Sequence, residues 1–529
     1  MSSPPDILTA HAAAQPDKLA LIEDPPPGGR GNVVRWSYRD LEAEANKLAN
    51  VLLSLGVMPG DKLIWCGPNS SGVVRMIHAA RKVGASAVPL NYRLTPEESA
   101  YVVENSDAVL AYIDAEYVDL FAEIRGDCPK LREILVFDGT AGGGMKDGSG
   151  MKDVDQLIAN ASSETPVVEA AAETAGTIIY TSGTTGKPKG AMRRGGGDPE
   201  ASGALVRFFG YTPDDVYLTT GPIYHSGPGG FMGIAYSLGQ TVVLQRKYNP
   251  EDWLRLIHQF KVTSSFAAPT PVRMACNLAG EIKAKYDLSS MKRFVANAAP
   301  WSWALKEAYL EDFPEDSLFE VYGSTELGVN TILRPEDQRR KKGSCGKPAP
   351  HVEIALFDDA GKQVTEPNTE GELFARSKNI FSTYYKAEEK YEEDRRGDYH
   401  TVGDIAYYDE EGFYFICDRK RDMIISGGMN IYPAEIEAAL EQNRNILDVA
   451  VFGIPSEEWG ESVHAVVVRH GDDPPSEQQI MDYSRLHLAG YKVPRSISFI
   501  DEIPRNGSGK ILKKELRAPF WKDHDRGVA

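Results

Sequence analysis

The sequence predicts an α/β fold in two parts. A large, multi-subdomain N-terminal region with mixed and parallel sheets flanked by helices, including a small strand-rich subdomain, precedes a small α+β C-terminal domain. Three observations predict it. At 529 residues the chain is too long for one compact core and favours two to four domains. The first third alternates helix-spaced and continuous apolar runs, the pattern of parallel strands joined by right-handed crossovers. From about residue 350 the pattern changes to short strands and turns, and a charged stretch at 418–422 sets off the last 107 residues, enough for one small domain. The expected divisions are 1–417, 418–422 and 423–529.

The elements follow in order. Ser37 is placed to cap a helix over 37–56, in which Leu41, Ala45, Leu48, Leu52 and Leu55 recur at helical spacing until Gly56 ends it. Leu63-Ile64-Trp65-Cys66 reads as a short buried strand closed by Gly67-Pro68. A helix over about 70–82 and a strand from Ala85 to Leu90 come next. Residues 139–150 hold six glycines and read as a loop between subdomains. Thr177-Ile178-Ile179-Tyr180 is a strand running directly into a lysine-glycine loop. The section 212–300 mixes apolar runs with helices such as 250–260. Strands are expected at Val352–Phe357, Gly371–Ala375 and Gly412–Cys417. Beyond the charged stretch lie helices over Ala434–Gln442 and about 476–488, and strands at Val449–Phe452, Ala465–Val468 and Ser496–Ile500. No internal repeat occurs.

Composition narrows the function. A net charge of −18 repels nucleic acid and anionic membrane, so an anionic substrate needs a concentrated positive site. The five scattered cysteines contain no CxxC pair, which speaks for reduced thiols in a cytoplasmic protein and against a zinc site. The N-terminus does not read as a signal peptide, and no apolar stretch reaches about 20 residues, so no membrane span is expected.

Two lysine-glycine runs meet the need for positive charge. In Tyr180-Thr181-Ser182-Gly183-Thr184-Thr185-Gly186-Lys187-Pro188-Lys189-Gly190, glycines admit backbone N–H groups to a phosphate, hydroxyls donate and lysines neutralise. It is not a Walker A loop, because the spacing is GxxGK and Pro188 follows Lys187. The second run, Pro504-Arg505-Asn506-Gly507-Ser508-Gly509-Lys510-Ile511-Leu512, lies more than three hundred residues away. Two flexible cationic loops on separate parts of one chain can close on one polyanion and part again.

The first run resembles the signature loop of the acyl-adenylate-forming family, specifically its acyl-CoA synthetase branch, and four further motifs follow in order: Tyr322-Gly323-Ser324-Thr325-Glu326, Gly403-Asp404 with Asp418 to Asp422, Ser426 to Glu437, and the Lys510 run. The likeness spans essentially the whole chain. It implies an N-terminal ATP- and acyl-binding adenylation domain, a hinge at 418–422 and a mobile C-terminal domain. It also implies ATP, Mg²⁺ and coenzyme A as reactants, a small carboxylic acid as partner, and a homodimer.

The resemblance assigns roles that the chemistry accommodates. Thr181, Ser182, Gly183, Thr184, Thr185, Gly186, Lys187 and Lys189 would cradle the ATP phosphates. Glu326 would hold magnesium, whose usual surroundings are one or two carboxylates and phosphate oxygens. Thr325 would donate to the α-phosphate, and Tyr322, beside Gly323, would stack on adenine next to Ala298, Ala299 and Pro300. Asp404 would accept the ribose hydroxyls with Arg419 in support, and Lys510 would bridge the acid and the α-phosphate. Arg421 would be the hinge residue, with Gly427 and Gly428 lining the pantetheine tunnel. His225 aligns with a mobile residue near the acyl carboxylate. Gly227, Gly230, Phe231, Phe266 and Ala268 would form an acyl pocket roomy enough for a long or ring-bearing acid.

Three departures stand out. Arg421 replaces the more common Asp or Lys. Asn297-Ala298-Ala299-Pro300 replaces Gly-Gly-Ala-Pro. Met192-Arg193-Arg194-Gly195 replaces a histidine-bearing pattern, and its arginines could touch phosphate, touch the nucleotide end of CoA, or face solvent. The expected function is an ATP-dependent carboxylic acid–CoA ligase. An acyl-AMP ligase that loads a carrier protein is the alternative, disfavoured by the short connection from Glu326 to Gly343. A non-catalytic nucleotide- or acyl-binding protein is the alternative of another class, disfavoured by the presence of Lys510, Glu326 and Asp404.

Overall fold

The computed structural model describes residues 6–522 except 30–31, 139–149, 169–175, 182–187, 195–196, 298–300, 428, 472–473 and 506–510. The glycine-rich 139–149 stretch, Ser182 to Lys187, Ala298 to Pro300, Gly428 and Lys510 therefore lie outside the described residues. Within them the chain forms four sheets.

The first half builds an eight-stranded sheet among the described residues. Lys62–Cys66 lies between Ser86–Leu90 and Ala108–Asp114, parallel to both, as the strand–helix alternation predicts. Gly176–Thr181 extends the sheet beside Ser86–Leu90 and turns back as Lys189–Arg194, antiparallel, with Thr181 opposite Lys189. Thr383–Tyr385 completes the edge by pairing with Lys189–Arg194.

The helix expected over 37–56 spans Tyr38–Ser54, with Ser37 and Asp40 forming a capping box. Leu41, Ala45, Leu48 and Leu52 are fully buried, whereas Leu55 lies past the last helical turn and is half-buried. Gly56 takes the left-handed conformation (φ +77°) that ends the helix. Ser71–Lys82 packs beside it, capped by Ser70.

A second, nine-stranded sheet has a parallel centre, Thr241–Leu244, Val216–Thr219, Ser264–Ala267, Arg293–Ala296 and Leu318–Ser324. Gly328–Leu333 returns antiparallel from Leu318–Ser324, with a register shift at Tyr322/Gly323. Gly323 is obligatory there, since a Cβ would stand 2.0 Å from the Gly328 carbonyl oxygen.

The strand-rich part forms an antiparallel sheet of Glu353–Phe357, Gly371–Arg376, Tyr399–Tyr408 and Tyr414–Arg419 with two short flanking strands. The last of these strands starts two residues after its expected position at Gly412, because Asp409 to Gly412 form the turn, with Gly412 at φ +79°. Asp418 and Arg419 still pair in this sheet, so the stretch between it and the final sheet is Lys420 to Met423. The final sheet contains Ile424–Ser426, Met429–Ile431, Ile446–Ser456, Gly460–Arg469 and Ser496–Phe499. Its two long strands reach well past the expected Val449–Phe452 and Ala465–Val468, since a continuous hairpin ladder carries their polar ends.

Two hydrogen bonds dock this domain on the preceding sheet: the Tyr432 hydroxyl donates to Glu370 Oε2 at 2.6 Å, and the Ala434 amide donates to Asp418 Oδ2 at 3.0 Å. Leu48→Ala is expected to remove about 2–5 kcal/mol of stability by leaving a cavity under the first sheet. Urea unfolding checks this, and an unchanged midpoint would show that the helix does not anchor that core.

Candidate active site

Two strand ends converge on one carboxylate. Thr181 closes a strand of the eight-stranded sheet, and Glu326 lies in the turn after Leu318–Ser324 of the nine-stranded sheet. The Thr181 hydroxyl donates to Glu326 Oε1 at 3.0 Å, and the Tyr384 hydroxyl donates to the same oxygen at 3.3 Å. Glu326 is buried, yet among the described residues no donor uses its Oε2. One shielded carboxylate with a spare oxygen, at the C-terminal edge of parallel strands, fits Mg²⁺ that takes its other ligands from phosphate and water. Among the described residues no group of three or more histidine, cysteine or acidic side chains is arranged to hold a metal ion by itself.

Thr325 is held beside this carboxylate. Its hydroxyl lies 2.8 Å from the Ser226 hydroxyl, which opens the helix Ser226–Ser237. His225 is the residue just before that helix, and its ring packs 4.4 Å from the Tyr224 ring. Lys189 lies with its ammonium 5.9 Å from the centre of the Tyr384 ring, whose hydroxyl donates to Glu326.

The second centre is Asp404. Its neighbour across the hairpin is Arg419, which explains the fifteen-residue spacing: the two strands face each other in register. Arg419 Nε lies 3.4 Å from Asp404 Oδ1, and the Tyr322 hydroxyl donates to Oδ2 at 2.6 Å. Burial, reinforced by the Asp404 charge, pushes the Tyr322 phenol well above its ordinary pKa, so it stays a donor. Burial opposes the charge of Arg419, but Asp404 and Asp422 outweigh it and hold the guanidinium above its usual value. A carboxylate offers about four lone-pair sites, so Asp404 retains acceptor capacity for two vicinal hydroxyls.

The apolar residues behave differently from expectation. Gly227 does not open space: a Cβ there would meet Phe266 Cζ at 2.3 Å, so the ring already fills it. Phe231 and Phe266 are buried and stacked, with ring centres 5.2 Å apart. Open space lies instead at Gly230 and Gly233, one turn apart on an exposed helix face. Ala268 precedes the helix Pro269–Cys276 and is half-buried.

In the C-terminal part, Arg421 sits between the sheets, 3.8 Å from Asp422. Gly427 takes φ +56°, and a Cβ would press to 2.8 Å on Trp459. Lys510 lies outside the described residues, but Arg505 and Ile511 on either side of 506–510 form an antiparallel bridge, and both oxygens of Asp448 hold Arg505 at 2.8 Å.

Tyr384 and Ser226 were missed by sequence reasoning. Ser226 follows His225 within the motif read there, so adjacency was its only signal. Tyr384 reaches Glu326 through a strand pairing almost two hundred residues distant in sequence, which leaves no local mark.

Comparison with known proteins accords with this geometry. Residues 8–385 match the model of the AMP-binding enzyme family, and residues 435–510 match that of the AMP-binding enzyme C-terminal domain. The long-chain-fatty-acid–CoA ligase FadD13 of Mycobacterium tuberculosis is 31% identical, with 97% of this chain and 98% of that protein covered. The fatty acid–[acyl-carrier-protein] ligase ScoC of Streptomyces coeruleorubidus is 31% identical, with 93% of each covered. The o-succinylbenzoate CoA synthetase of Bacillus subtilis, solved with its acyl-adenylate intermediate OSB-AMP, superposes with a TM-score of 0.82 at 28% identity over 100% of both chains. The same enzyme solved with ATP and a magnesium ion gives 0.82 at 29% identity, over 97% of this chain and 99% of that one.

Replacing Asp404 by Asn is expected to weaken AMP binding about 10–100-fold, the worth of hydrogen bonds to a charged group. Calorimetric titration with AMP checks this, and an unchanged affinity would remove Asp404 from the nucleoside site.

Proposed function

The chain belongs to the AMP-binding enzyme family, and from that premise we infer that it is an AMP-forming carboxylic acid–CoA ligase. In the first step a carboxylate oxygen of the acid attacks the α-phosphorus of ATP, and the bond to the β-phosphate oxygen breaks. Acyl-AMP forms and pyrophosphate leaves. In the second step the thiol of coenzyme A attacks the acyl carbonyl, gives up its proton, and displaces AMP. The observation that carries this reading is the Thr181–Glu326–Tyr384 contact, in which the last residue of the strand before residue 182 and a tyrosine hold a carboxylate with one open oxygen, one residue from Thr325.

Each residue has a chemical task. Thr325 donates its hydroxyl to the α-phosphate. Asp404, held by Tyr322 and Arg419, accepts the ribose hydroxyls and fixes the nucleoside. The 182–187 loop and Lys189 surround the phosphates, with Ala298 to Pro300 beside the adenine. Glu326 is the residue that would hold magnesium, which when bound supplies neutralisation of phosphate charge. Lys510 neutralises the two anions that must meet, and Arg421 lets its domain turn so that Gly427 and Gly428 face the pantetheine arm in the second step. His225 and the Phe231–Phe266 stack border the acid. The stacked Phe231 and Phe266 rings support an acid with a long apolar chain or a ring over a short one.

The second reading, transfer of the acyl group to a carrier protein, has the likeness to ScoC in its favour. The short chain from Glu326 to Gly343, only the strand Gly328–Leu333 and one 3₁₀ turn, favours CoA. The protein is expected to act in the cytoplasm as a homodimer. Its five free cysteines, and the lack of a membrane-length apolar helix among the described residues, support the first part. Light scattering tests the second against a protomer of 58.1 kDa.

A panel of acids supplied with ATP and CoA should release AMP and form thioester, most rapidly with long-chain or aromatic acids. Acyl-AMP that accumulates without thioester would replace this reading with the carrier-protein one. Lys510→Ala should lower adenylation by about 10²–10³, with far less effect on thioester formation from supplied acyl-AMP. Equal losses in both steps would contradict the domain exchange.

A further inference from the structure

Of the two arginines that replace the family's histidine-bearing pattern, Arg194 is exposed and Arg193 turns inward. Arg193 directs its guanidinium to main-chain oxygens. Its Nη1 donates to the Asn379 carbonyl, and its Nη2 donates to the Thr325 carbonyl at 2.8 Å and the Glu326 carbonyl at 3.4 Å. Among the described residues it forms no ion pair with a carboxylate. The guanidinium is therefore not half of a salt bridge. It gathers three main-chain oxygens from two segments that are separate in sequence.

The location gives this contact its meaning. Thr325 and Glu326 lie in the turn between two strands, where carbonyls lack ladder partners and a buried one needs another donor. Besides Arg193, the Phe381 amide also donates to the Glu326 carbonyl, at 2.7 Å. Phe381 and Asn379 lead into Thr383–Tyr385, the strand that carries Tyr384 to the Glu326 carboxylate and pairs with the strand of Arg193 itself. Asn379 is fixed in turn, its side-chain oxygen accepting from the Asp198 amide at 3.0 Å. One planar fork thus ties the main chain of the Glu326 turn to the strand that positions the Glu326 carboxylate. Lysine, a single point charge on a flexible stem, cannot reproduce this. Burial disfavours the charge of Arg193, and the nearby Glu326 offsets part of that penalty.

We propose that Arg193 is a positioning residue for adenylation: it locks the Thr325–Glu326 turn so that the Glu326 carboxylate and the Thr325 hydroxyl are presented together to metal-bound triphosphate. The assignment rests on the adenylating function inferred above, and it adds a residue outside the phosphate loop to the machinery. It predicts a selective defect. The metal-dependent part of ATP binding should weaken, whereas AMP, held through Asp404 on another strand, should bind as before.

The test compares wild type, Arg193→Lys and the exposed control Arg194→Lys. Binding of ATP with and without Mn²⁺ is followed by calorimetry and by the electron paramagnetic resonance of the ion, AMP binding by calorimetry, and ATP–pyrophosphate exchange across a Mg²⁺ series. Arg193→Lys is expected to weaken Mn²⁺-dependent ATP binding about 10–100-fold, the usual effect of losing a group that orients a metal ligand. It should shift the Mg²⁺ requirement of exchange upward and leave AMP affinity unchanged, and Arg194→Lys should match wild type throughout. Unchanged metal-dependent binding in Arg193→Lys, or a parallel loss of AMP affinity, overturns the proposal. If Arg193→Lys does not fold, Arg193→Gln carries the same comparison. Collapse of both assigns Arg193 to folding alone and overturns it equally. Absence of exchange by wild type with every acid would instead refute the adenylating function, so the two failures are distinguishable.

Discussion

The Glu326 carboxylate is the point on which the two large sheets agree. Each sheet contributes a strand that ends there, one through the hydroxyl of Thr181 and the other through the turn that carries Glu326 itself. A buried acid without a cationic partner is costly to maintain. Hydroxyl donors from Thr181 and Tyr384 solvate it without cancelling its charge. The negative charge that burial makes costly, offset in part by the nearby Arg193 guanidinium, is the one a metal–nucleotide complex needs.

The second centre, the proposed nucleoside site, is built on a different sheet, the antiparallel one, through the facing pair Asp404 and Arg419. Tyr322 bridges the two centres, because it sits four residues before Glu326 and donates to Asp404. The chain that leaves Arg419 enters the C-terminal domain almost at once, so the Asp404–Arg419 pair and the domain junction share a strand. Among the contacts that join the domain to that sheet, the Tyr432–Glu370 and Ala434–Asp418 hydrogen bonds are polar.

Much of this was legible in the sequence because it is local. Ser37 begins a helix through its hydroxyl and Gly56 ends it through its left-handed backbone, and the apolar spacing of Leu41 to Leu52 identified the buried face. The ordered motifs marked Thr181, Thr325, Glu326, Asp404 and Arg419. What was not legible depends on pairings between distant segments. Tyr384 reaches Glu326 only because Thr383–Tyr385 pairs with Lys189–Arg194. Arg193 could be read as a phosphate ligand or a solvated charge, and only the fold shows that it faces three carbonyls. Gly227 was read as room for a ligand, but a neighbouring ring fills that room. A small residue in a sequence records that something comes close and does not record what.

The most direct measurement is ATP–pyrophosphate exchange by Glu326→Gln beside wild type, with AMP affinity and the unfolding midpoint taken on the same samples. Glutamine preserves the shape and can still accept from Thr181 and Tyr384, but it carries no charge. The account predicts a fall in exchange of about 10²–10³, with AMP affinity unchanged and the unfolding midpoint at or above that of wild type. Exchange at the wild-type rate would contradict it, since the charge of Glu326 would then have no part in the reaction.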